Sequence, residues 1–206
     1  TQMAIELGHR DDAERFAALA AEVRQAYERR FVTADGRLTS DAETAYALTL
    51  AFGLLPHRTA ALRSRLVELV AAGNGTITTG FVGTPVILDQ LIEAGRADLA
   101  YRSLLTRQCP SWLYPVTMGA TTTWERWDSM LPDGTINPGE MTSFNHYALG
   151  VVADVLYRRV AGLTAAAPGF REIRFAPLPG GGLTRACASH RTPYGTAGIQ
   201  WQISAG

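Results

Sequence analysis

The sequence has few cysteines and no clustered metal ligands, which excludes two classes of protein. Its 206 residues include only Cys109 and Cys187, which lie far apart and belong to no Cys-x-x-Cys or Cys/His cluster. A disulfide-dense scaffold is therefore not predicted, and we expect two free, buried thiols. No metal site is predicted either, because His9, His57 and His190 have no thiol or carboxylate at ligand spacing. No cofactor is expected.

Charge of one sign and long apolar runs are also missing. The 19 basic and 19 acidic side chains give a formal net charge of zero, and no long run of one sign occurs. We therefore expect no nucleic-acid partner and no anionic membrane surface as a partner. No apolar stretch approaches the roughly 20 residues that span a bilayer. The chain begins at Thr1 in the middle of a helix-like pattern, so we expect it to be a piece of a longer protein.

What the sequence does contain is a substantial apolar fraction with helical spacing. Hydrophobic residues make up 47% of the chain, and most of the first 110 residues predict paired helices. Ser40 to Glu43 (SDAE) matches a capping box. Short connections and the lack of a fixed repeat favour a closed helical assembly over a solenoid. The first apolar stripe consists of Phe16, Leu19, Ala20, Val23 and Tyr27.

The last 40 or so residues follow a strand pattern instead. Ile199, Trp201 and Ile203 alternate with glutamines, and Thr192 to Gly195 (TPYG) is typical of a type I turn. We expect two to four strands after the loop AAAPG. The predicted fold class is therefore mainly α, with a small C-terminal antiparallel β region.

The long irregular segment from Gln108 to Met141 contains the most informative run, TTTWERWDSM. Indole rings pack on the C–H faces of sugars, and a few polar groups then fix the orientation of the ligand. Trp124, Trp127 and Arg126 are therefore candidate substrate-binding residues. Glu125 is a candidate for one of the two carboxylates that glycoside hydrolysis requires. The alternative is a structural tryptophan corner held by an Arg126–Asp128 ion pair.

A second cluster, TSFNHYALG, places Asn145 and His146 at the start of a predicted helix capped by Ser143. A neutral histidine donates one hydrogen bond and accepts another, which suits adjacent sugar hydroxyls. Asn145 and His146 are therefore candidate substrate-binding residues. A capping or core histidine is the alternative interpretation.

Taken together, the run from Gly119 to Gly162 resembles bacterial α-L-rhamnosidases of glycoside hydrolase family 78. The segments TTGFVGTP to GATT and TPYGTAGIQW resemble the same family, so the resemblance covers essentially the whole chain. It implies a barrel of six inner and six outer helices, an (α/α)6 barrel, followed by a β-sandwich. Residues 1–163 would form the later part of the catalytic barrel, and residues 164–206 would begin the β domain.

The resemblance also implies chemistry. The family releases terminal L-rhamnose with inversion, so the expected partner is a rhamnose-containing oligosaccharide or glycoside. The glutamate of its Trp-Glu-Arg-Trp motif is the general base, which corresponds to Glu125. The histidine of its Asn-His-Tyr motif contacts the sugar, which corresponds to His146. Two other functions stay open: a non-catalytic carbohydrate-binding or scaffold module, and an (α/α)6 glycosidase for another sugar.

One part of the family pattern has no counterpart. The family's general acid lies in an Arg-Asp-Glu stretch, and the acids of His9 to Arg15 (HRDDAER) lack its aromatic and proline neighbours. We therefore expect the chain alone to be inactive. Because part of a toroid exposes apolar faces that the rest would cover, we also expect homo-oligomers.

Overall fold

A computed structural model describes residues 1–204 as a helical part followed by two β-hairpins. The helices are α1 (Gln2–Glu6), α2 (Arg10–Phe31), α3 (Glu43–Ala51), α4 (Thr59–Ala72), α5 (Thr84–Glu93), α6 (Ala97–Leu105) and α7 (Leu113–Thr117). A continuous segment, here named the terminal helix (148–161), then joins a 3-10 turn (Ala148–Val151), α8 (Val152–Val155) and a π-helical turn (Leu156–Ala161). None of the helices within these residues is long and apolar enough to cross a membrane.

The core lies between an inner row of helices and the helices outside them. α3 packs against α5, and α5 packs against the terminal helix, while α4 contacts both α3 and α5. Leu66 of α4 and Ile87 and Leu91 of α5 are completely buried between these layers. α6 packs against α5 and also contacts α4, and α2 is linked to α3 by the hydrogen bond between Tyr27 and Thr49.

The inner helices begin at the same end of the molecule. The Thr78 N–H, in the loop before α5, donates to the Glu43 carboxylate at the start of α3. Phe81 of the same loop stacks on His146, just before the terminal helix. The loops 73–83 and 106–147 therefore meet at this end, and they carry every candidate site residue.

α2 forms where the first apolar stripe predicts a helix, but this stripe faces solvent. Phe16 is 41% exposed, and Leu19 and Val23 are each 51% exposed. Only Ala13 of α2 is buried, because α2 reaches α3 mainly through the hydrogen bond between Tyr27 and Thr49. No other element within residues 1–204 covers this face.

The predicted capping box is wrong. α3 begins at Glu43 with Ala42 as its N-cap, and no side chain caps it. Ser40 therefore does not act as the cap. The Glu43 carboxylate is 6% exposed and accepts from the backbone of the neighbouring loop instead of reaching back to residue 40.

The β region confirms the small antiparallel structure. β1 (Leu163–Ala165) pairs with β2 (Ile173–Phe175), and β3 (Arg185–Thr192) pairs with β4 (Gly195–Gln202) around the predicted turn. Trp201 anchors this second hairpin by donating from Nε1 to the Val160 carbonyl at 2.9 Å. The division of the chain after residue 163 stays a prediction.

The two cysteines are only partly as expected. Cys109 and Cys187 are free, as predicted, but both are exposed rather than buried, since one lies in a loop and the other on the hairpin surface. Gly180 and Gly181 approach the ring of Tyr101 so closely that a Cβ on either would come within 2.4–2.7 Å of it. Tight packing against Tyr101 therefore explains why glycine stands at these two positions.

Candidate active site

Two strand-like segments, 122–125 and 143–146, lie side by side and bring Glu125 and His146 onto neighbouring chains. The Glu125 N–H donates to the Ser143 carbonyl at 2.8 Å, and the His146 N–H donates to the Thr123 carbonyl at 2.8 Å. Because the pairs run in opposite order along the two segments, the arrangement is antiparallel. Two residues that are distant in sequence are thereby brought onto neighbouring chain segments by backbone hydrogen bonds.

The Glu125 carboxylate is half-buried and held at one oxygen. Its Oε2 accepts from the Ser143 N–H at 3.0 Å. Within residues 1–204, no donor engages Oε1. A carboxylate held at one oxygen and free at the other has the geometry to accept a proton from a water molecule.

Arg126 is directed at the loop that follows it, away from Glu125. Its Nε and one terminal nitrogen donate to the two oxygens of Asp128 at 3.0 and 3.1 Å. Its other terminal nitrogen reaches the Glu140 carbonyl at 3.3 Å, and Asn137 donates to Asp128 at 2.8 Å. The Arg126–Asp128 ion pair, which the alternative interpretation as a structural tryptophan corner requires, is therefore present. The substrate contact predicted for Arg126 stays a prediction.

The two tryptophans of the motif have different surroundings. Trp124 is 3% exposed and lies edge-on to Tyr114 and Phe144, with ring centroids 6.5 and 5.2 Å apart. Trp124 therefore packs tightly against its neighbours, although it lines the same cavity as Trp127, and the substrate contact predicted for it stays a prediction. Trp127 is half-buried, meets Trp112 edge-on at 5.4 Å and lines an apolar cavity of about 550 Å³.

His146 contacts two aromatic rings and is held at one ring nitrogen. Its ring is nearly parallel to Phe81 (5.0 Å, 13°) and to Tyr147 (5.3 Å, 7°). Its Nδ1 accepts from the Ala148 N–H at 3.2 Å, so the proton of the neutral ring lies on Nε2. The imidazole borders a cavity of about 610 Å³ and can donate into it.

Asn145 and Ser143 do not begin a helix, because the helical segment starts only at Ala148. The Asn145 N–H donates to Ser143 Oγ at 3.2 Å, and the Asn145 side chain is exposed. Ser143 thus organises the loop and holds Glu125, a role that its hydroxyl alone did not indicate. Phe81 and Tyr147 were also missed, since neither carries a group that signals sugar chemistry.

Other catalytic groups are not assembled here. Within residues 1–204, no group of three or more histidines, cysteines, aspartates and glutamates could hold a metal ion. Although Cys109 is exposed overall, partial desolvation of its thiol, followed by the negative charge of Asp128, raises the pKa of this group. Cys109 is therefore unsuited to act as a thiolate nucleophile.

The chain is similar to known α-L-rhamnosidases along its whole length. Residues 1–160 match a family model described as the bacterial alpha-L-rhamnosidase 6 hairpin glycosidase domain. Residues 162–206 match the bacterial alpha-L-rhamnosidase C-terminal domain. An α-L-rhamnosidase of Streptomyces avermitilis is 41% identical over 206 residues, and one of Formosa agariphila is 36% identical over 200 residues. The chain spans about a fifth of the length of these relatives, 20% and 22% respectively.

Solved structures give the same result. The α-L-rhamnosidase of Streptomyces avermitilis, complexed with L-rhamnose, superposes with a TM-score of 0.93 at 41% identity, over 100% of this chain and 20% of that one. The native enzyme of Aspergillus terreus superposes with a TM-score of 0.94 at 38% identity, over 98% of this chain and 24% of that one. The predicted partial (α/α)6 barrel with a small C-terminal β region is therefore confirmed.

Proposed function

Because the chain belongs to the bacterial α-L-rhamnosidase family, we propose that it forms the water-activating part of an inverting glycoside hydrolase. The enzyme releases terminal α-L-rhamnose from rhamnosides, and Glu125 is its general base. The observation that supports this most directly is the Glu125 carboxylate, held at Oε2 by Ser143 and free at Oε1. His146 stands on the paired segment with its Nε2–H free to donate.

The proposed reaction is a single displacement. Glu125 Oε1 removes a proton from a water molecule while the water oxygen attacks the anomeric carbon on the face opposite the leaving group. The bond to the leaving oxygen breaks, and a general acid protonates that oxygen. The product is β-L-rhamnose. Inverting enzymes keep their two carboxyl groups roughly 6.5–9.5 Å apart, which leaves room for the water.

The binding contribution of the chain comes from His146 and Trp127. The His146 Nε2–H donates to a sugar hydroxyl, and the half-buried indole of Trp127 offers apolar area beside it. Asn145, exposed in the same loop, completes the polar rim. Each of these contacts recognises a neutral polyol, in keeping with the zero formal net charge of the chain.

The carboxylate next to the Trp-Glu-Arg-Trp motif does not serve as the general acid. The nearest carboxylate in sequence, Asp128, is engaged by Arg126 and Asn137, so it is not free to carry and donate a proton. We therefore propose that the chain by itself does not hydrolyse rhamnosides. Turnover requires the acid-bearing part of the barrel.

A graft tests the function. Residues 1–206 replace the matched segment of the Streptomyces avermitilis relative, and the purified graft is assayed on a panel of aryl glycosides. We expect hydrolysis of the aryl α-L-rhamnoside, with β-L-rhamnose detected first by proton NMR, and no turnover by the chain alone. Preference for another sugar, or L-rhamnose binding by a well-folded graft without turnover, would contradict the proposal. The second result would favour a carbohydrate-binding module.

A further inference from the structure

We propose that Phe81 is a positioning residue for His146, so that the loop 73–83 belongs to the sugar site without contacting the sugar. The inference rests on the proposed function, because it assigns how the sugar-facing imidazole is oriented. Phe81 lies in the loop before α5, whereas Glu125 and His146 lie between α7 and the terminal helix.

The first support is the geometry of the imidazole. Phe81 and Tyr147 lie nearly parallel to His146 at 5.0 and 5.3 Å, and their own rings are not paired with each other. Two nearly parallel aromatic rings therefore flank the imidazole. Tyr147 is 89% exposed, so solvent surrounds most of it, whereas Phe81 is half-buried. Of the two flanking rings, Phe81 is the one that the fold holds in place.

The second support is the direction of the imidazole nitrogens. The Ala148 N–H binds Nδ1 at 3.2 Å, a long bond that holds only while the ring plane is kept in position. Rotation of the ring would break this bond and remove the reason for the Nε2–H tautomer. Phe81 opposes that rotation by stacking, and thus maintains the donor that faces the cavity.

The third support is the rigidity of the loop that presents Phe81. The Thr78 N–H donates to the buried Glu43 carboxylate at 3.0 Å, and the hydroxyls of Thr79 and Thr84 lie 3.0 Å apart. Gly83 packs so closely that an added Cβ would lie 2.9 Å from the Thr79 side chain. The loop is thus fixed on both sides of Phe81. The buried Glu43 does not line the sugar site, but it anchors the loop that presents Phe81.

Imidazole NMR on the full chain tests the proposal directly. The chain has four histidines, so His146→Gln identifies the signals of His146. In the native chain we expect two separate ¹⁵N shifts typical of the Nε2–H tautomer, and ring protons shifted upfield by the stacked rings. In Phe81→Leu the ring protons should move downfield and the two ¹⁵N shifts should approach each other. Phe81→Tyr keeps the ring and should restore the native pattern.

Phe170→Leu is the matched control. The rings of Phe170 and His190 lie 4.5 Å apart and are tilted by 32°, so this variant should shift His190 and leave His146 unchanged. Unchanged His146 signals in a folded Phe81→Leu chain would overturn the proposal. Changes in all four histidines would also overturn it, since they would report a general loss of structure.

Kinetics of the graft give a second readout. Loss of one well-placed hydrogen bond to a neutral hydroxyl predicts a drop of about tenfold in kcat/KM for Phe81→Leu, recovered in Phe81→Tyr. If both variants equal the parent graft, Phe81 does not position the donor. An inactive parent graft would contradict the proposed function alone, and the NMR pattern would still decide the role of Phe81.

Discussion

Glu125 and Ser143 are joined by two hydrogen bonds that run in opposite directions. The Glu125 N–H donates to the Ser143 carbonyl at 2.8 Å, and the Ser143 N–H donates to Glu125 Oε2 at 3.0 Å. The backbone of Ser143 therefore fixes both the main chain and the side chain of Glu125. A catalytic group held in this way loses little entropy when the reaction begins.

Replacing Glu125 by glutamine should remove the base and keep the fold. The amide has the same shape and can still accept from Ser143 through its oxygen, but it cannot take a proton from water. In the graft we expect kcat to fall about 10³-fold, within the range of general-base contributions. Glu140→Gln is the control, because only the Glu140 backbone is used, by Arg126. A near-normal kcat in Glu125→Gln would remove Glu125 from the base role.

Replacing Arg126 by lysine separates two roles for its guanidinium. If the fork on Asp128 holds the loop that carries Glu125, lysine cannot reproduce it, and misplacement of the base should lower kcat tenfold or more. If Arg126 binds substrate instead, KM should rise while kcat changes little. We expect the first result in the graft. Arg15→Lys, at an exposed pair with Asp12, is the control and should leave both constants unchanged.

The helices could be predicted from the sequence because their signal is local. Leu62, Leu66 and Val70 recur every four residues and are buried in α4. The stripe of α2 has the same period, yet Leu19 and Val23 are exposed. Periodicity reports that a helix has an apolar face, whereas burial depends on which element lies opposite.

The candidate site residues could be named from the sequence, but their contacts could not. Trp124 and Trp127 stand three positions apart in one motif, and only the fold distinguishes the buried ring from the half-buried one. The pairing of Glu125 with Ser143 and of Thr123 with His146 crosses a long irregular loop without periodicity. Phe81 lies in the loop before α5, far from His146 in sequence, so no local pattern could link the two residues.

Acid should weaken the junction between α5 and the terminal helix. Burial by itself raises the pKa of Asp89, but the hydrogen bonds from Arg158 and Arg159 outweigh it and hold that pKa below its usual range. A carboxyl with a lowered folded-state pKa contributes stability above the unfolded value of about 3.9, and this contribution is lost as the pH falls further.

Asp89→Asn measures that contribution. At pH 7 we expect the free energy of unfolding in urea to fall by about 2 kcal/mol, because two arginines lose a charged acceptor. The difference from the native chain should shrink below about pH 4, where the carboxyl becomes protonated first in the unfolded chain and, at still lower pH, in the folded chain. Asp154→Asn removes a 56% exposed partner of Arg158 and should cost about 0.5 kcal/mol or less. Equal losses in the two variants would contradict the role of Asp89.

The connection between the helical part and the β region depends on Gly162. Its φ is +88°, and an added Cβ would lie 2.2 Å from the backbone nitrogen of Pro177. Since backbone cannot move aside cheaply, Gly162→Ala should destabilise the chain by about 3 kcal/mol or more. Gly169→Ala, at φ +68° with nothing within 4 Å, should cost only about 1–2 kcal/mol. Chemical denaturation compares them, and similar costs would disprove the steric argument.

The exposed face of α2 should make the isolated chain self-associate. Phe16, Leu19 and Val23 are 41–51% exposed at helical spacing, so their apolar area adds up on one side. Light scattering should show a mass above 22.2 kDa that grows with concentration. Leu19→Glu places a charge in this face and should restore the monomer, whereas Ala21→Glu adds the same charge about 200° around the helix and should not. A monodisperse native monomer at high concentration would show that this face does not drive association.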